Sequence, residues 1–200
     1  MLTGVILAGG VKRRMNGTLK SLLPFDGQPL IVRQINQMRS LCDELMVVTD
    51  EPRPLLPVLD PSVRVITDFF KGCGALGGLH AALSLAGNSS VWIVGGDMPF
   101  LSSEAAKLMW KRKSEGLHAV IPRIAGELVP LHGIYDRAST SPMIPLLERG
   151  ESKILALLDH IIWGDASLDD LPELGAEGNL ASSIRTMQDY EALQQGRRRL

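Results

Sequence analysis

The residues best equipped for chemistry follow short apolar runs. Leu7-Ala8-Gly9-Gly10-Val11-Lys12-Arg13-Arg14-Met15-Asn16-Gly17-Thr18-Leu19-Lys20 couples a glycine pair to several cations. Glycines where a strand ends let the backbone approach a ligand and turn its N–H groups outward as an anion nest. Arg14 and Lys20 can then neutralise phosphate oxygens. A Walker A loop sets its second glycine directly before the lysine, whereas here six residues separate Gly10 from Gly17 and Gly17 does not touch Lys20 in sequence. Lys20, a long cation on a loop, is expected to be exposed in the empty protein.

A second glycine cluster lies in Asp68-Phe69-Phe70-Lys71-Gly72-Cys73-Gly74-Ala75-Leu76-Gly77-Gly78-Leu79. Gly72, Gly74 and Gly77 match G-x-G-x-x-G, and Asp97 stands twenty residues beyond Gly77. A dinucleotide fingerprint follows its strand at once, but Asp68 to Lys71 intervene here. The other use of these glycines is to let a loop and a helix start pack against a nucleoside. The third segment is Val91-Trp92-Ile93-Val94-Gly95-Gly96-Asp97-Met98-Pro99-Phe100-Leu101. Ser102 or Ser103 can cap the helix that follows, which frees Asp97 to act as a hard oxygen ligand for Mg²⁺.

These segments need a scaffold that ends strands side by side. Residues 2–8, 44–49, 63–67, 91–95, 119–122 and 161–163 read as strands, most of them continuously apolar as buried parallel strands should be. Helical spacing covers residues 29–41, 78–85, 102–114 and 187–195, with Pro29 and Ser102 at expected helix starts. The alternation predicts a three-layer α/β fold with a mostly parallel sheet, and ligands at the strands' carboxyl ends. Residues 51–61, with four prolines, read as a connecting loop. Residues 127–135 read as an irregular strand near a site, and residues 165–179 as a surface loop. Arg197, Arg198 and Arg199 read as a solvated tail.

A chain of 200 residues fits one domain, and at this length it buries roughly 70% of its unfolded surface, enough for a real pocket. With 21 lysines and arginines against 22 acidic residues, nothing draws it to nucleic acid or an anionic membrane, so a polyanion it handles must be small. No run approaches the length of a membrane span. Without a signal peptide, and with only Cys42 and Cys73, the chain is expected in the reducing cytoplasm with no zinc knuckle.

Taken together and in order, LAGGVKRRMNGTLK with Gly27, Pro29 and Leu30, then VITD before GALGGL, GGDMPFL and GELVPLHGIYD resemble the molybdenum cofactor guanylyltransferase family of nucleotidyltransferases. The resemblance runs from Val5 to about Tyr135, with an echo in RTMQDYEAL. It implies a Rossmann-like fold that transfers GMP from GTP to the terminal phosphate of molybdopterin and releases pyrophosphate. Leu7, Ala8, Gly9 and Gly10 would form the nucleotide loop and Arg14 and Lys20 would meet the phosphates. Thr49, Asp68, Gly74 and Gly77 would lie about the nucleoside, and Asp97 would hold Mg²⁺. Pro130, His132, Ser183 and Arg185 would face the acceptor. Two positions and one stretch depart from the family pattern: Thr49 replaces a frequent asparagine, Asn16 replaces a loop glycine, and Ser183-Ile184-Arg185-Thr186-Met187 replaces an Asn-x-Asn-Thr-Pro stretch. The last departure leaves room for another phosphate monoester as acceptor. The resemblance also implies transient contact with molybdoenzyme maturation proteins.

The required chemistry is an in-line attack of a phosphate monoester oxygen on the α-phosphorus of a nucleoside triphosphate. That oxygen is already ionised near neutral pH, so no general base is needed. Cytidylyl transfer to the same pterin and nucleotidyl transfer to a sugar phosphate are the near alternatives. A nicotinamide-binding oxidoreductase and a nonenzymatic cofactor-delivery partner are the distant ones. Asp68 can accept from guanine or from ribose hydroxyls, so the base stays open between GTP and CTP.

Overall fold

The computed structural model describes residues 1–9, 14–167 and 180–197. In chain order it contains β1 (Leu2–Leu7), β2 (Arg14–Met15), β3 (Thr18–Leu19), β4 (Pro24–Phe25), β5 (Gln28–Pro29), α1 (Leu30–Met38), β6 (Glu44–Val48), β7 (Arg64–Ile66) and α2 (Gly74–Leu85). There follow β8 (Ser90–Gly95), α3 (Ser103–Lys113), β9 (Ala119–Ile124), β10 (Glu127–Leu128), β11 (Ile134–Asp136), α4 (Thr140–Glu148), β12 (Trp163–Ser167) and α5 (Met187–Arg197).

The continuously apolar runs become the buried centre of one sheet, because a strand covered on both faces must be apolar at every position. The order is β7-β6-β1-β8-β11-β9, with β10 and β12 also paired to β9. β7, β6, β1 and β8 run parallel, and Leu7 lies opposite both Val48 and Gly95. β11 is antiparallel to its neighbours β8 and β9, while β12 is parallel to β9. The segment expected as one irregular strand is thus two strands, β10 and β11, separated by a bend at residues 129–133.

Side chains alternate across the sheet. Val5, Met46, Val48, Ile93 and Ile121 point to the face covered by α2 and α4. Ile6, Val47, Trp92, Val94 and Val120 point to the face covered by α1 and α3. A third apolar cluster joins Phe25, Leu30 and Phe100 to Leu180 and Ile184, and so fastens the C-terminal segment to the N-terminal half. The hydroxyl of Tyr190 and the amide of Gln194 both donate to the Pro24 carbonyl.

Two short hairpins were not expected from periodicity. Their tips, Asn16-Gly17 and Asp26-Gly27, take φ of 49° and 81° and of 52° and 79°. Left-handed backbone at both central residues is the turn that matches strand twist, and Asn-Gly and Asp-Gly adopt it most readily. Asn16 therefore fits its left-handed position without a glycine. α4 was not among the expected helices; it carries Pro142 in its first turn and Pro145 inside, where proline opposes helical geometry. α2 begins one turn earlier than expected, at Gly74. The strand expected at residues 161–163 lies at Trp163–Ser167 instead, so Asp165 is in a strand and pairs with Arg123. Residues 168–179 and the tail from Arg198 lie outside the described residues.

Candidate active site

The strand order reverses at β1, which has β6 on one side and β8 on the other. Connections leave to opposite faces at such a point and open a crevice beyond the carboxyl ends of the strands. A cleft of about 500 Å³ occupies that position. Its floor is Leu7, Ala8 and Gly9 from β1 and Gly95 and Gly96 from β8. The two strand exits abut: the Gly96 N–H donates to the Leu7 carbonyl at 2.9 Å, and a Cβ on Gly96 would lie 3.0 Å from the Ala8 Cα. A Cβ on Gly9 would meet the Asp50 carboxylate at 2.7 Å. Side chains at either glycine would fill the crevice or part the strands.

The charged residues enter from five directions. The hairpin of β2 and β3 delivers Lys20, the exit of β8 delivers Asp97, the exit of β6 delivers Asp50, and the loop after β7 delivers Asp68. Arg185 and Thr186 close the cleft from the segment before α5. Lys20 is only 7% exposed, which corrects the expectation of an exposed lysine: the hairpin and the 3₁₀ turn at Lys20–Leu22 tuck it beside the cleft. Burial raises the Asp97 carboxyl above the ordinary aspartate value, while Lys20 and then Arg185 pull it back. Burial together with the nearby Asp50 raises Asp68, opposed by Lys71. The cleft therefore has an acidic side at Asp50 and Asp68, and elsewhere Asp97 among cations.

Ser102 accepts the Ala105 N–H at the start of α3, as expected, leaving the Asp97 side chain to the cleft. Gly74 lines the cleft at the start of α2. Gly77 does not: a Cβ there would lie 3.0 Å from the Phe70 carbonyl, so this glycine lets the loop pack on the helix. Thr49, expected at the nucleoside, is fully buried; its hydroxyl accepts the Glu51 N–H and lies 3.4 Å from the Ala8 carbonyl. It braces the strand exit from beneath. Gly10 lies outside the described residues. Arg14 pairs with Leu19 in the hairpin, and its side chain is not described. The G-x-G-x-x-G stretch runs into α2, but residues 67–71 separate it from β7, and β7 is the sheet's edge rather than its switch point.

Of the residues expected at the acceptor, Ser183 and Arg185 come together. The Arg185 Nε donates to the Ser183 hydroxyl at 3.1 Å, and the Asp189 carboxylate accepts from the N–H groups of Arg185 and Thr186 at 3.0 and 2.7 Å. Thr186 returns the bond by accepting the Asp189 N–H at 3.2 Å, a reciprocal helix cap that stiffens the segment. Pro130 does not line the cleft and uses its carbonyl to accept the Tyr135 hydroxyl.

His132 is fully buried and faces no ligand space, correcting its expected acceptor role. Its Nε2 lies 3.2 Å from the Ser102 N–H and its Nδ1 3.4 Å from the Trp92 indole nitrogen. A neutral imidazole accepts at one nitrogen, and the shorter contact takes it. Burial holds this imidazole down from 6.5 to about 4. Between those values the unfolded chain binds the extra proton, so stability is lost as pH falls through the window. The loss should approach roughly 3 kcal/mol. His132→Gln should flatten the dependence of melting temperature on pH from 6.5 to 4, and should leave catalysis at neutral pH near wild type. An unchanged slope would remove His132 as its source.

Periodicity did not reveal Asp50, Thr186 or Gln34. The amide of Gln34, fully buried on α1, donates to the carbonyls of Gly95 and Met98 at 2.7 and 2.8 Å. The Thr186-Met187-Gln188-Asp189 cap pattern was a usable signal; a lone glutamine inside an apolar stripe was not.

A glycine-floored, cation-bearing crevice at the switch point, with one half-buried carboxylate at the exit of the neighbouring strand, defines an α/β domain of the nucleotidyltransferase class. The chain belongs to the MobA-like NTP transferase domain family, whose model matches residues 4–167. It is 31% identical over 160 residues, 80% of this chain and 78% of the relative, to the molybdenum cofactor guanylyltransferase of Desulfosudis oleivorans. It is 29% identical to that of Yersinia pseudotuberculosis, over 98% of this chain and 97% of the relative. Among solved structures, molybdopterin-guanine dinucleotide biosynthesis protein A from Archaeoglobus fulgidus shares the fold with a TM-score of 0.82 and 23% identity, covering 99% of this chain and all of that one. A putative glucose-1-phosphate thymidylyltransferase from Bacillus anthracis superposes with a TM-score of 0.79 at 16% identity, covering 100% and 96% of the two chains. The family model ends at residue 167, before Arg185 and Thr186, which wall the cleft from the C-terminal segment.

Proposed function

We propose that this protein, as a single nucleotidyltransferase domain, transfers GMP from GTP to the terminal phosphate of molybdopterin and releases pyrophosphate. The observation that carries the reading is the meeting of Lys20, Asp97 and Arg185 around one cleft, in a chain whose curated relatives bear the name guanylyltransferase. Lys20 is placed to take charge from the departing pyrophosphate, and the glycine loop at Gly9 to present backbone N–H groups to phosphate. Guanine offers two adjacent donors, N1–H and N2–H₂, to acceptors such as Asp68 and Asp50. Cytosine offers one donor beside two acceptors, which carboxylates repel. That asymmetry favours GTP over CTP.

Magnesium fits the donor set. Among the described residues no cluster of three ligating side chains exists, yet this ion commonly takes one or two carboxylates and completes its shell with phosphate oxygens and water. Asp97 would hold it. Bound there, Mg²⁺ would neutralise and orient the triphosphate oxygens.

Arg185, steadied by Ser183 and Asp189, is placed to pair with the acceptor phosphate in place of the missing asparagines. Arg185→Ala should raise the KM for molybdopterin roughly tenfold to a hundredfold, the cost of one charged hydrogen bond, and change GTP affinity about twofold at most. Steady-state kinetics with either substrate varied separates the two; an unchanged acceptor KM would remove Arg185 from that site.

The reading places the reaction in the cytoplasm, with its product passing to molybdoenzyme maturation proteins. Among the described residues no helix is long and apolar enough to cross a membrane. The deciding assay mixes the purified protein with molybdopterin, Mg²⁺ and either GTP or CTP and follows pyrophosphate. Release with GTP alone is expected. Release only with CTP, or only when a sugar phosphate replaces the pterin, would overturn the assignment.

A further inference from the structure

The turn that presents Asp97 is held from both sides. Its own closure is the Met98 N–H donating to the Gly95 carbonyl at 3.1 Å. From the C-terminal segment, the Ile184 N–H donates to the Asp97 carbonyl at 2.8 Å. From α1, the Gln34 amide spans the turn, donating one hydrogen to Gly95 and the other to Met98, the residues two before and one after Asp97. Gln34 stands in the apolar stripe of Leu30, Ile31, Ile35 and Met38, where an aliphatic side chain would pack without a polar burden. Its Oε1 is buried and finds no hydrogen-bond partner. The Gly95 carbonyl would remain bonded through Met98 without Gln34, so at that end of the turn the glutamine does more than satisfy a buried acceptor, while at the other it holds the Met98 carbonyl.

We infer that Gln34 is a positioning residue: through its two-carbonyl clamp on the Gly95–Met98 turn it fixes the Asp97 carboxylate for the metal-bound nucleotide. The inference rests on Asp97 as the Mg²⁺ ligand proposed above. Residues just outside a metal's ligands orient them, and their loss typically weakens metal affinity about tenfold to a hundredfold.

The test substitutes Gln34→Met, which keeps length and volume but removes both donors. GTP binding is measured by titration calorimetry across a range of Mg²⁺ concentrations, without acceptor, beside wild type and Asp97→Asn. Wild type should bind GTP more tightly as Mg²⁺ rises, and Asp97→Asn should lose that enhancement. Gln34→Met should need at least roughly ten times more Mg²⁺ for half of it and recover at saturating metal. Affinity in EDTA should stay as in wild type. If wild type shows no enhancement, the metal reading itself fails. If Asp97→Asn loses it while Gln34→Met keeps the wild-type Mg²⁺ dependence, with or without a lower melting temperature, Gln34 is only structural and the inference falls. Should the methionine variant not fold, Gln34→Asn, too short to span both carbonyls, supports the same comparison.

Discussion

Asp97→Asn should reduce nucleotidyl transfer by on the order of a thousandfold while the fold stands. The substitution is nearly isosteric and removes only the charge that would hold the metal, and several kcal/mol of transition-state stabilisation go with it. The turn around Asp97 is secured by backbone and by Gln34, so its geometry does not depend on the carboxylate. Burial already penalises the ionised form, and the asparagine escapes that penalty; against this, Lys20 and Arg185 lose a neighbouring charge. These terms oppose each other, so the melting temperature should move by no more than a few degrees. Pyrophosphate release from GTP and molybdopterin is the measurement. Turnover within tenfold of wild type would remove Asp97 from the metal site.

Lys20→Ala should slow the chemical step roughly a hundredfold to a thousandfold, because charge on the leaving pyrophosphate grows in the transition state and a preorganised cation there is worth about 3 to 4 kcal/mol. Nucleotide affinity should fall less, since an interaction equally strong in both states alters binding alone. Single-turnover kinetics at saturating GTP reads the difference; a rate within a fewfold of wild type would exclude the role. The burial of Lys20 adds a second consequence that an exposed lysine would not have. Without its strongest compensating charge, the Asp97 carboxyl rises further above the ordinary aspartate value. An acid raised on folding holds its proton more tightly in the native state, so stability is lost as pH climbs through the folded value. Relative to wild type, Lys20→Ala should therefore lose ground on going from acid to neutral pH.

The central strands were legible because burial on both faces demands unbroken apolar runs, and the glycines after β1 and β8 announced themselves by standing where those runs stop. Asp97 followed from the same logic, once Ser102 was free to cap α3. The two hairpins were hidden by length: two-residue strands have no period to detect, and only Asn16-Gly17 and Asp26-Gly27 signalled them. α4 was hidden by its prolines. Thr49 and His132 misled because type and position say nothing of which way a side chain points, and both point into the protein. Gln34 lay beyond reach for the opposite reason. It sits at a core position by helical spacing, and only tertiary packing shows that its amide meets the two carbonyls flanking Asp97.

The bond from the Ile184 N–H to the Asp97 carbonyl also bears on how the molecule comes into being. β1, β6 and β8 precede residues 184–186 in the chain and can pair while synthesis continues, so the crevice between them can exist before the chain is long enough to close it. Its C-terminal wall and the outer brace on the Asp97 turn come from residues 184–186, which are made after all of these strands. A nascent chain that has made the whole sheet still lacks Arg185 and Thr186, and its cleft would be open on the side those residues close. The cleft is closed only once the C-terminal segment settles against Phe25 and Phe100, a step distinct from the folding of the sheet.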